Sequence, residues 1–166
     1  MGSFNAGNVF QILYRSQASE HLTMDGIKNI LEVSRRKNTK AGISGLLVLR
    51  ESWFLQLLEG PYDPVMSIVH RIKQDPRHSG FEVLFETRSA NERLCGNWSM
   101  GYLDPSTHAA PPVNTDALFK IYAMALGKAG QVTPQILKSV LSTFKQGCGD
   151  LSAQLPPEAN QPQASL

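Results

Sequence analysis

The sequence predicts an α+β domain followed by a helical extension, and three observations point to that class. Short apolar runs and two segments with helical spacing occur in the order strand, helix, strand, strand, helix, strand. The composition changes near Asp104, because residues 1–104 hold 12 of the 16 Lys and Arg and 11 of the 14 Asp and Glu. With 166 residues, 42% of them hydrophobic, the chain can also bury a core of ordinary size.

The first strand and the first helix come from residues 9–42. Val9–Arg15 is a short apolar run that contains a tyrosine, which is typical of a strand. Thr23 can cap a helix over Met24–Lys37, where apolar residues recur at helical spacing. Asn38 and Gly42 are expected to end that helix.

A hairpin and a second helix are expected next. Ile43–Leu49 and Trp53–Leu58 are apolar runs separated by three residues, which favours two antiparallel strands. Asp63 followed by Pro64 resembles a helix start, with the aspartate as N-cap and the proline at the first helical position. The segment 75–77, Asp-Pro-Arg, is expected to stop this helix.

The last strands complete a recognisable topology. Phe81, Val83 and Phe85 alternate with Glu82, Leu84 and Glu86, which predicts a strand with one more polar face. A further short strand is expected over Trp98–Tyr102. The resulting βαββαβ order, with one more strand possible, is the ferredoxin-like pattern. It places two helices on one face of a largely antiparallel sheet.

The other face of that sheet needs a cover, and the remaining residues can supply one. Helices are expected over residues 114–126 and 133–144, and their apolar sides would pack on the bare face as a helical pair. The expected organisation is therefore an N-terminal extension, the α+β domain, a linker with the helical pair, and a disordered tail: residues 1–8, 9–104, 105–149 and 150–166.

Several classes of protein are excluded by composition. The two cysteines, Cys95 and Cys148, form no CxxC pair, and the four histidines lack metal-ligand spacing, so no disulfide framework or metal site is expected. Apolar runs are too short to span a membrane, and no signal pattern opens the chain, which favours the cytoplasm. A net charge of +2 without a basic stripe argues against a nucleic-acid partner.

No catalytic motif of a common enzyme class is present, but three polar residues occupy unusual places. Gln56 lies inside an apolar strand, where its amide could point into solvent, cap a backbone group or face a buried site. Tyr14 lies in the first strand, where it could be a core tyrosine with a satisfied hydroxyl or face a buried site. Asn38 could be a helix C-cap or a ligand-binding amide.

These residues belong to segments that together resemble the motif set of BLUF domains, which are bacterial blue-light sensors that use flavin. The resemblance covers about residues 9–103, with the segments in the expected order and spacing. The C-terminal remainder resembles that of short, stand-alone BLUF proteins. The segments are Tyr14-Arg15-Ser16, Asn38 before Gly42–Leu47, Phe54–Gly60, Asp75-Pro76-Arg77-His78 and Trp98-Ser99-Met100-Gly101.

The resemblance implies that a flavin, normally FAD and with FMN left open, lies between the two helices of the domain. Apolar walls and a few placed amides suit such a ring. Lys37 departs from the family pattern, which often has His, Asn or Arg at this position. The expected cofactor-binding residues are Ile30, Ser34, Lys37, Asn38, Phe54, Gln56, Ile72, Asp75, Arg77 and His78.

The resemblance also implies a mechanism without covalent chemistry or turnover. Tyr14 gives an electron and then a proton to the light-excited flavin, and Gln56 rearranges by rotation or tautomerisation, which shifts the absorption to the red. Trp98 and Met100 would then relay the change to the C-terminal helices. Without an output enzyme domain, the expected readout is assembly, either as a homo-oligomer or with a separate protein partner.

Two rival functions are also compatible with the sequence. One is a flavin-free ferredoxin-like regulatory module that binds a small metabolite or a protein, and its preparation would be colourless. The other is a small flavin oxidoreductase, which would need a nicotinamide site and an accessible flavin face. The sequence holds no motif for either requirement of the oxidoreductase.

Overall fold

The structure, a computed structural model, describes residues 8–95, 99–103, 123, 132–133 and 135–139. Seven helices and strands of the domain follow one another in the predicted order. They are β1 (Val9–Ala18), α1 (Met24–Ala41), β2 (Ser44–Arg50), β3 (Trp53–Gly60), α2 (Tyr62–Gln74), β4 (His78–Ala90) and β5 (Gly101–Leu103).

The five strands form one sheet in the order β4-β1-β3-β2-β5. β3 is central and pairs antiparallel with both β1 and β2, and β4 pairs antiparallel with β1. β5 pairs parallel with β2 at the other edge. The predicted ferredoxin-like α+β class is confirmed, and the central position of β3 puts Gln56 in the middle of the sheet.

The sheet has two buried faces of different character. On the helix face, side chains of β1 and β3 such as Ile12 and Leu58 pack with α1 and α2 in one apolar core that includes Ile27, Leu31, Val65 and Val69. Because side chains alternate along a strand, the intervening residues share the opposite surface, which we call the far face. Its buried members include Gln11, Leu13, Leu46, Val48, Leu55, Leu57 and Glu59.

Helix α1 begins as predicted and ends later than predicted. The Thr23 side chain accepts a hydrogen bond from the Gly26 N–H, so the N-cap is confirmed. The helix continues past Lys37 to Ala41, and Gly42 at φ 67° supplies the left-handed C-cap. Asn38 is therefore an interior residue of the last turn, and its interpretation as the helix terminus was wrong.

Helix α2 starts one residue before the predicted N-cap. Pro61 is the N-cap residue, and the Pro61 carbonyl accepts from the Val65 N–H. Asp63 instead lies in the first turn, where its negative charge complements the helix dipole. Pro64 also fits there, because the first four N–H groups of a helix have no partner within it. The predicted end is confirmed, since Asp75 is the C-cap.

Strand β4 does not follow the simple alternation predicted for it. Its register against β1 shifts between Leu13 and Tyr14, so that Phe85 pairs with Leu13 while Val83 pairs with Tyr14. Since residues paired across strands point to the same side, Phe85 lies on the far face and Val83 on the helix face. Such an irregularity adds a residue to one strand and reverses the alternation beyond it.

Most of the predicted C-terminal helical pair lies outside the described residues, as do residues 1–7, 104–122 and 141–166. Residues 135–139 are helical, with Leu137 buried and the Lys138 ammonium paired with the Glu92 carboxylate. The predicted last strand is shorter than expected, and Trp98 also lies outside the described residues. None of the helices in the described part of the chain has the length and apolar character that a bilayer crossing requires.

Candidate functional site

The centre of the helix face holds a buried polar pair, Tyr14 and Gln56. Tyr14 and Gln56 are opposite one another in the register of β1 and β3, and they are 3% and 5% exposed. The Tyr14 hydroxyl donates to Gln56 Oε1, and Gln56 Nε2 donates to Met100 Sδ at 3.6 Å. A solvent-facing Gln56 is therefore ruled out. The thioether is a weak acceptor, so the Gln56 amide keeps the capacity to donate to a stronger one.

The phenol of Tyr14 is held in an apolar and aromatic environment. The Phe81 ring stacks on the Tyr14 ring with centroids 4.3 Å apart and an interplanar angle of 24°. Burial raises the pKa of Tyr14 well above its usual range, and the negative charge of Asp75 raises it further. The phenol is consequently neutral, and its proton is available for the hydrogen bond to Gln56.

Side chains of α1 hold the residues just before β5 next to the Tyr14–Gln56 pair. Asn38 Nδ2 donates to the Ser99 carbonyl at 2.7 Å, and Arg35 Nε donates to the Met100 carbonyl at 3.1 Å. Because Met100 also contacts Gln56, the structure brings together four of the predicted residues: Tyr14, Gln56, Asn38 and Met100.

The predicted apolar wall residues line the same region of the core. Ile30 on α1 and Ile72 on α2 are half-buried and pack against the buried cluster, and Phe54 on β3 belongs to it. Ser34 is half-buried on α1, whereas Lys37 is exposed. Two isoleucines from the two helices can thus bound a planar group, and the contact predicted for Lys37 stays a prediction.

The predicted segment after α2 forms a compact polar turn. Arg77 Nε donates to the two carboxylate oxygens of Asp75 at 2.9 and 3.0 Å. That hydrogen bond, with further help from the charge of Arg77 and from His78, holds the pKa of Asp75 below its usual value although partial burial opposes the shift. His78 Nε2 contacts the carbonyl of Ile72, so the turn closes against the end of α2.

Two buried polar atoms in this region have no hydrogen-bond partner, and they indicate whether a polar ligand would fit here. Ser16 Oγ and His78 Nδ1 are buried without a hydrogen bond. Ser16 follows Tyr14 by two residues on β1 and therefore shares the helix face. An orphaned buried hydroxyl costs free energy unless a group satisfies it. Together with the adaptable amide of Gln56, it fits a ligand that carries carbonyls and ring nitrogens, as a flavin does.

Sequence reasoning missed a second polar cluster, which lies on the far face around Glu59. The Glu59 side chain is 0% exposed, and its carboxylate accepts from Gln11 Nε2, Ser44 Oγ and the N–H groups of Leu94 and Cys95. One signal could have found it: Glu59 is three residues after Gln56 in an apolar strand, so it must point to the opposite face. Its partners come from distant positions.

In the described ranges, no group of three or more His, Cys, Asp or Glu side chains is placed to hold a metal ion. The buried polar side chains around the Tyr14–Gln56 pair are amides and hydroxyls, and the nearby carboxylate of Asp75 is paired with Arg77. Their donors and acceptors suit a neutral heterocycle better than a hard cation.

Comparison with known proteins finds one family whose model matches this chain. The family is BLUF, described as sensors of blue light using FAD, and the match covers residues 9–101. The chain is 36% identical over 67 residues to the blue light- and temperature-regulated antirepressor BluF of Escherichia coli, which covers 40% of this chain and 17% of that protein. It is 37% identical over 68 residues to the photoactivated adenylate cyclase subunit beta of Euglena gracilis, covering 41% and 8%.

Solved structures show the same fold. The dark-state structure of BlrB, a BLUF protein, aligns with a TM-score of 0.67 at 21% identity over 85% of this chain and 98% of that one. The photo-activated state of BlsA aligns with a TM-score of 0.62 at 25% identity, over 81% and 92%. By contrast, the chain spans less than a fifth of the length of the two curated relatives named above, with 17% and 8% of them covered.

Proposed function

This chain belongs to the BLUF family of blue-light sensors that use FAD, and from that premise we propose that Tyr14 and Gln56 carry its response to light. The single observation that supports this proposal is the chain of contacts on the helix face. The Tyr14 hydroxyl, the Gln56 amide and the Met100 thioether are linked in series, all three buried. An amide between a strong donor and a weak acceptor can exchange its two ends.

We propose that the two helices and the strands beneath them bind the flavin. The isoleucines Ile30 and Ile72 would bound its ring system, while Asn38 and the unpartnered Ser16 hydroxyl offer polar groups. Ser34, Lys37, Phe54, Asp75, Arg77 and His78 complete the set of proposed binding residues. When bound, the flavin supplies the absorption of blue light and an excited state that takes up one electron and one proton.

Tyr14 is the proposed donor of that electron and proton. Both return to Tyr14 when the red-shifted state forms, after Gln56 has rearranged. Its neutral phenol satisfies this role because burial keeps the proton on the oxygen. Gln56 accepts the phenolic hydrogen bond through Oε1 in this structure, which is the arrangement from which the proposed exchange starts. After Tyr14 has given up its proton, the amide loses that donor and is free to present its other end.

We propose that the output is a change in assembly and that no substrate is turned over. Met100 is the described residue through which a rearranged Gln56 reaches β5, and the predicted relay through Trp98 remains a proposal. From β5 the change would reach the C-terminal residues, where a second copy of this chain or a separate protein binds differently after illumination.

The decisive experiment is an absorption spectrum of the flavin-loaded protein before and after blue light. The expected result for the wild type is a reversible red shift. Gln56→Leu replaces the amide side chain with an apolar one of similar size, and we expect the red shift to disappear. Tyr14→Phe removes only the hydroxyl and has the same expected result.

Gln17→Leu is the matched control, because Gln17 is an exposed glutamine on β1. It is expected to keep the red shift unchanged. A colourless folded wild type that takes up no flavin would contradict the proposal, and so would a normal red shift in Gln56→Leu.

A further inference from the structure

The connection between β4 and β5 has to cross the whole sheet, because these strands form its two opposite edges. We call this connection the crossover; it comprises residues 91–100 and is described at 91–95 and 99–100. Its two described ends contact the two faces of the central strand β3. Leu94 and Cys95 bind Glu59 on the far face, and Met100 binds Gln56 on the helix face.

We propose that Glu59 is a positioning residue for the light response: it fixes the first half of the crossover and so sets where Ser99 and Met100 meet Asn38 and Gln56. The inference rests on the proposed function, since it concerns the same Gln56–Met100 contact. It extends that function to a buried carboxylate that contacts neither Gln56 nor the predicted flavin-binding residues in the described structure.

Four hydrogen bonds hold the Glu59 carboxylate in one position. Oε1 accepts from Ser44 Oγ at 2.9 Å and from the Cys95 N–H at 2.7 Å. Oε2 accepts from Gln11 Nε2 at 3.0 Å and from the Leu94 N–H at 2.8 Å. A buried carboxylate is tolerated when it is fully hydrogen-bonded, and four donors from three parts of the chain leave it one arrangement.

The side chains of Gln11 and Arg93 make further hydrogen bonds that hold the same part of the crossover. Gln11 Nε2 also donates to the Glu92 carbonyl at 3.0 Å. Arg93 donates to Ser44 Oγ at 3.0 Å and to the Gly42 carbonyl at 2.7 Å, which ties the crossover to the end of α1. Helix α1 in turn holds the other end of the crossover through Asn38 and Arg35.

The consequence is that a rearrangement at Gln56 acts on the crossover at residues 99–100, whereas Glu59 holds it at residues 94–95. A change in the Met100 contact is then taken up on the β5 side of the crossover and does not spread back toward β4. The Lys138 ammonium also pairs with the Glu92 carboxylate, beside the end of the crossover that Glu59 holds. Weakening Glu59 would loosen the crossover and lower the barrier for the return of Gln56.

Glu59→Gln tests the proposal by removing the charge and one acceptor while keeping the shape. The Gln11 amide can turn to accept from the new amide group, but the Leu94 and Cys95 N–H groups cannot turn. One of them is left without an acceptor. In flavin-free protein we expect amide exchange at Leu94 or Cys95 to be about ten- to a hundredfold faster, the effect of one lost buried hydrogen bond.

The second readout is the return of the flavin-loaded protein to its dark spectrum after blue light. We expect Glu59→Gln to keep the red shift and to recover several-fold faster than the wild type. Gln11→Met removes two donated hydrogen bonds but leaves the carboxylate and its backbone donors, so it gives a smaller change in the same direction. It also remains usable if Glu59→Gln does not fold.

Gln17→Met is the matched control, the same substitution at an exposed position of the same strand and face, and it leaves both readouts unchanged. Faster exchange with unchanged recovery would overturn the proposal, because Glu59 would then only stabilise the fold. Unchanged exchange would overturn it as well. A wild type without any red shift would instead contradict the proposed function.

Discussion

The two faces of β3 each bury a polar side chain, and the two are held in opposite ways. On the helix face, Gln56 has one strong donor, Tyr14, and one weak acceptor, Met100. On the far face, Glu59 has four donors, two of them backbone N–H groups. A neutral amide with spare capacity can exchange partners at low cost, whereas a buried charge with a full set of donors cannot. The comparison separates the part of the molecule that changes from the part that stays fixed.

The largest expected difference between the faces is in stability. Glu59→Ala leaves the buried Cys95 N–H, the partly buried Leu94 N–H and the side-chain donors of Gln11 and Ser44 without their acceptor, and we expect it to lower the free energy of unfolding by about 3–5 kcal/mol. Gln56→Ala leaves only the Tyr14 hydroxyl without its partner, with an expected loss of about 1–3 kcal/mol. Urea unfolding of flavin-free protein measures both. Equal losses would remove the contrast between a fixed and an adaptable face.

A glycine tests how tightly the helix face is packed where Met100 enters it. A Cβ at Gly45 would lie 2.7 Å from the Leu57 carbonyl oxygen and 3.1 Å from Met100 Cε. We expect Gly45→Ala to lower the free energy of unfolding by about 1–3 kcal/mol, because backbone must shift, and to alter dark recovery by displacing Met100.

Gly80→Ala is the control for that substitution. Gly80 lies in β4 at φ +63°, and a Cβ added there would meet no heavy atom within 4 Å, so the cost comes from the backbone conformation alone. The variant is expected to destabilise the protein without changing recovery. If Gly45→Ala and Gly80→Ala both recover at the wild-type rate, then displacing Met100 does not affect dark recovery.

The raised pKa of Tyr14 gives the helix face a dependence on alkaline pH. Below about pH 10 the phenol is protonated in both the folded and the unfolded chain, so Tyr14 adds no pH dependence. Above that pH the unfolded chain loses the proton and the folded chain keeps it, so stability falls as pH rises, by up to about 1.4 kcal/mol per pH unit.

The difference between wild type and Tyr14→Phe isolates this effect, because the other tyrosines contribute equally to both. Unfolding in urea between pH 9 and 11 measures it, with the two curves expected to converge as pH rises. Parallel curves over this range would mean that the Tyr14 phenol ionises as readily in the folded protein as in the unfolded one.

The smallest expected effect concerns the exposed rim of the far face. Lys138 and Glu92 form an ion pair whose side chains are 62% and 58% exposed. Such pairs contribute about 0–1 kcal/mol, so Lys138→Gln is expected to change the free energy of unfolding by no more than that. A larger loss would show that the far face depends on residues 135–139 as well as on Glu59.

Much of this architecture could be predicted from the sequence, because periodicity determines where helices and strands form. The hairpin of β2 and β3 and the glycine that ends α1 follow from patterns within a few residues. The resemblance to a family supplied Tyr14, Gln56 and Asn38 together, which spacing alone could not do.

What could not be predicted depends on contacts between distant residues. The register shift in β4 is set by its pairing with β1, and the early start of α2 by the extended Pro61. Glu59 was visible as a carboxylate in an apolar strand, but its partners Leu94 and Cys95 are in a crossover whose path follows from the strand order.

The most direct test of the central claim, that Gln56 is the group that rearranges, is an infrared light-minus-dark difference spectrum of protein with isotope-labelled glutamine side chains. We predict at least one amide band that shifts with the label in wild type, persists in Gln17→Leu and disappears in Gln56→Leu. A light-induced spectrum that contains no label-sensitive glutamine band would contradict the claim.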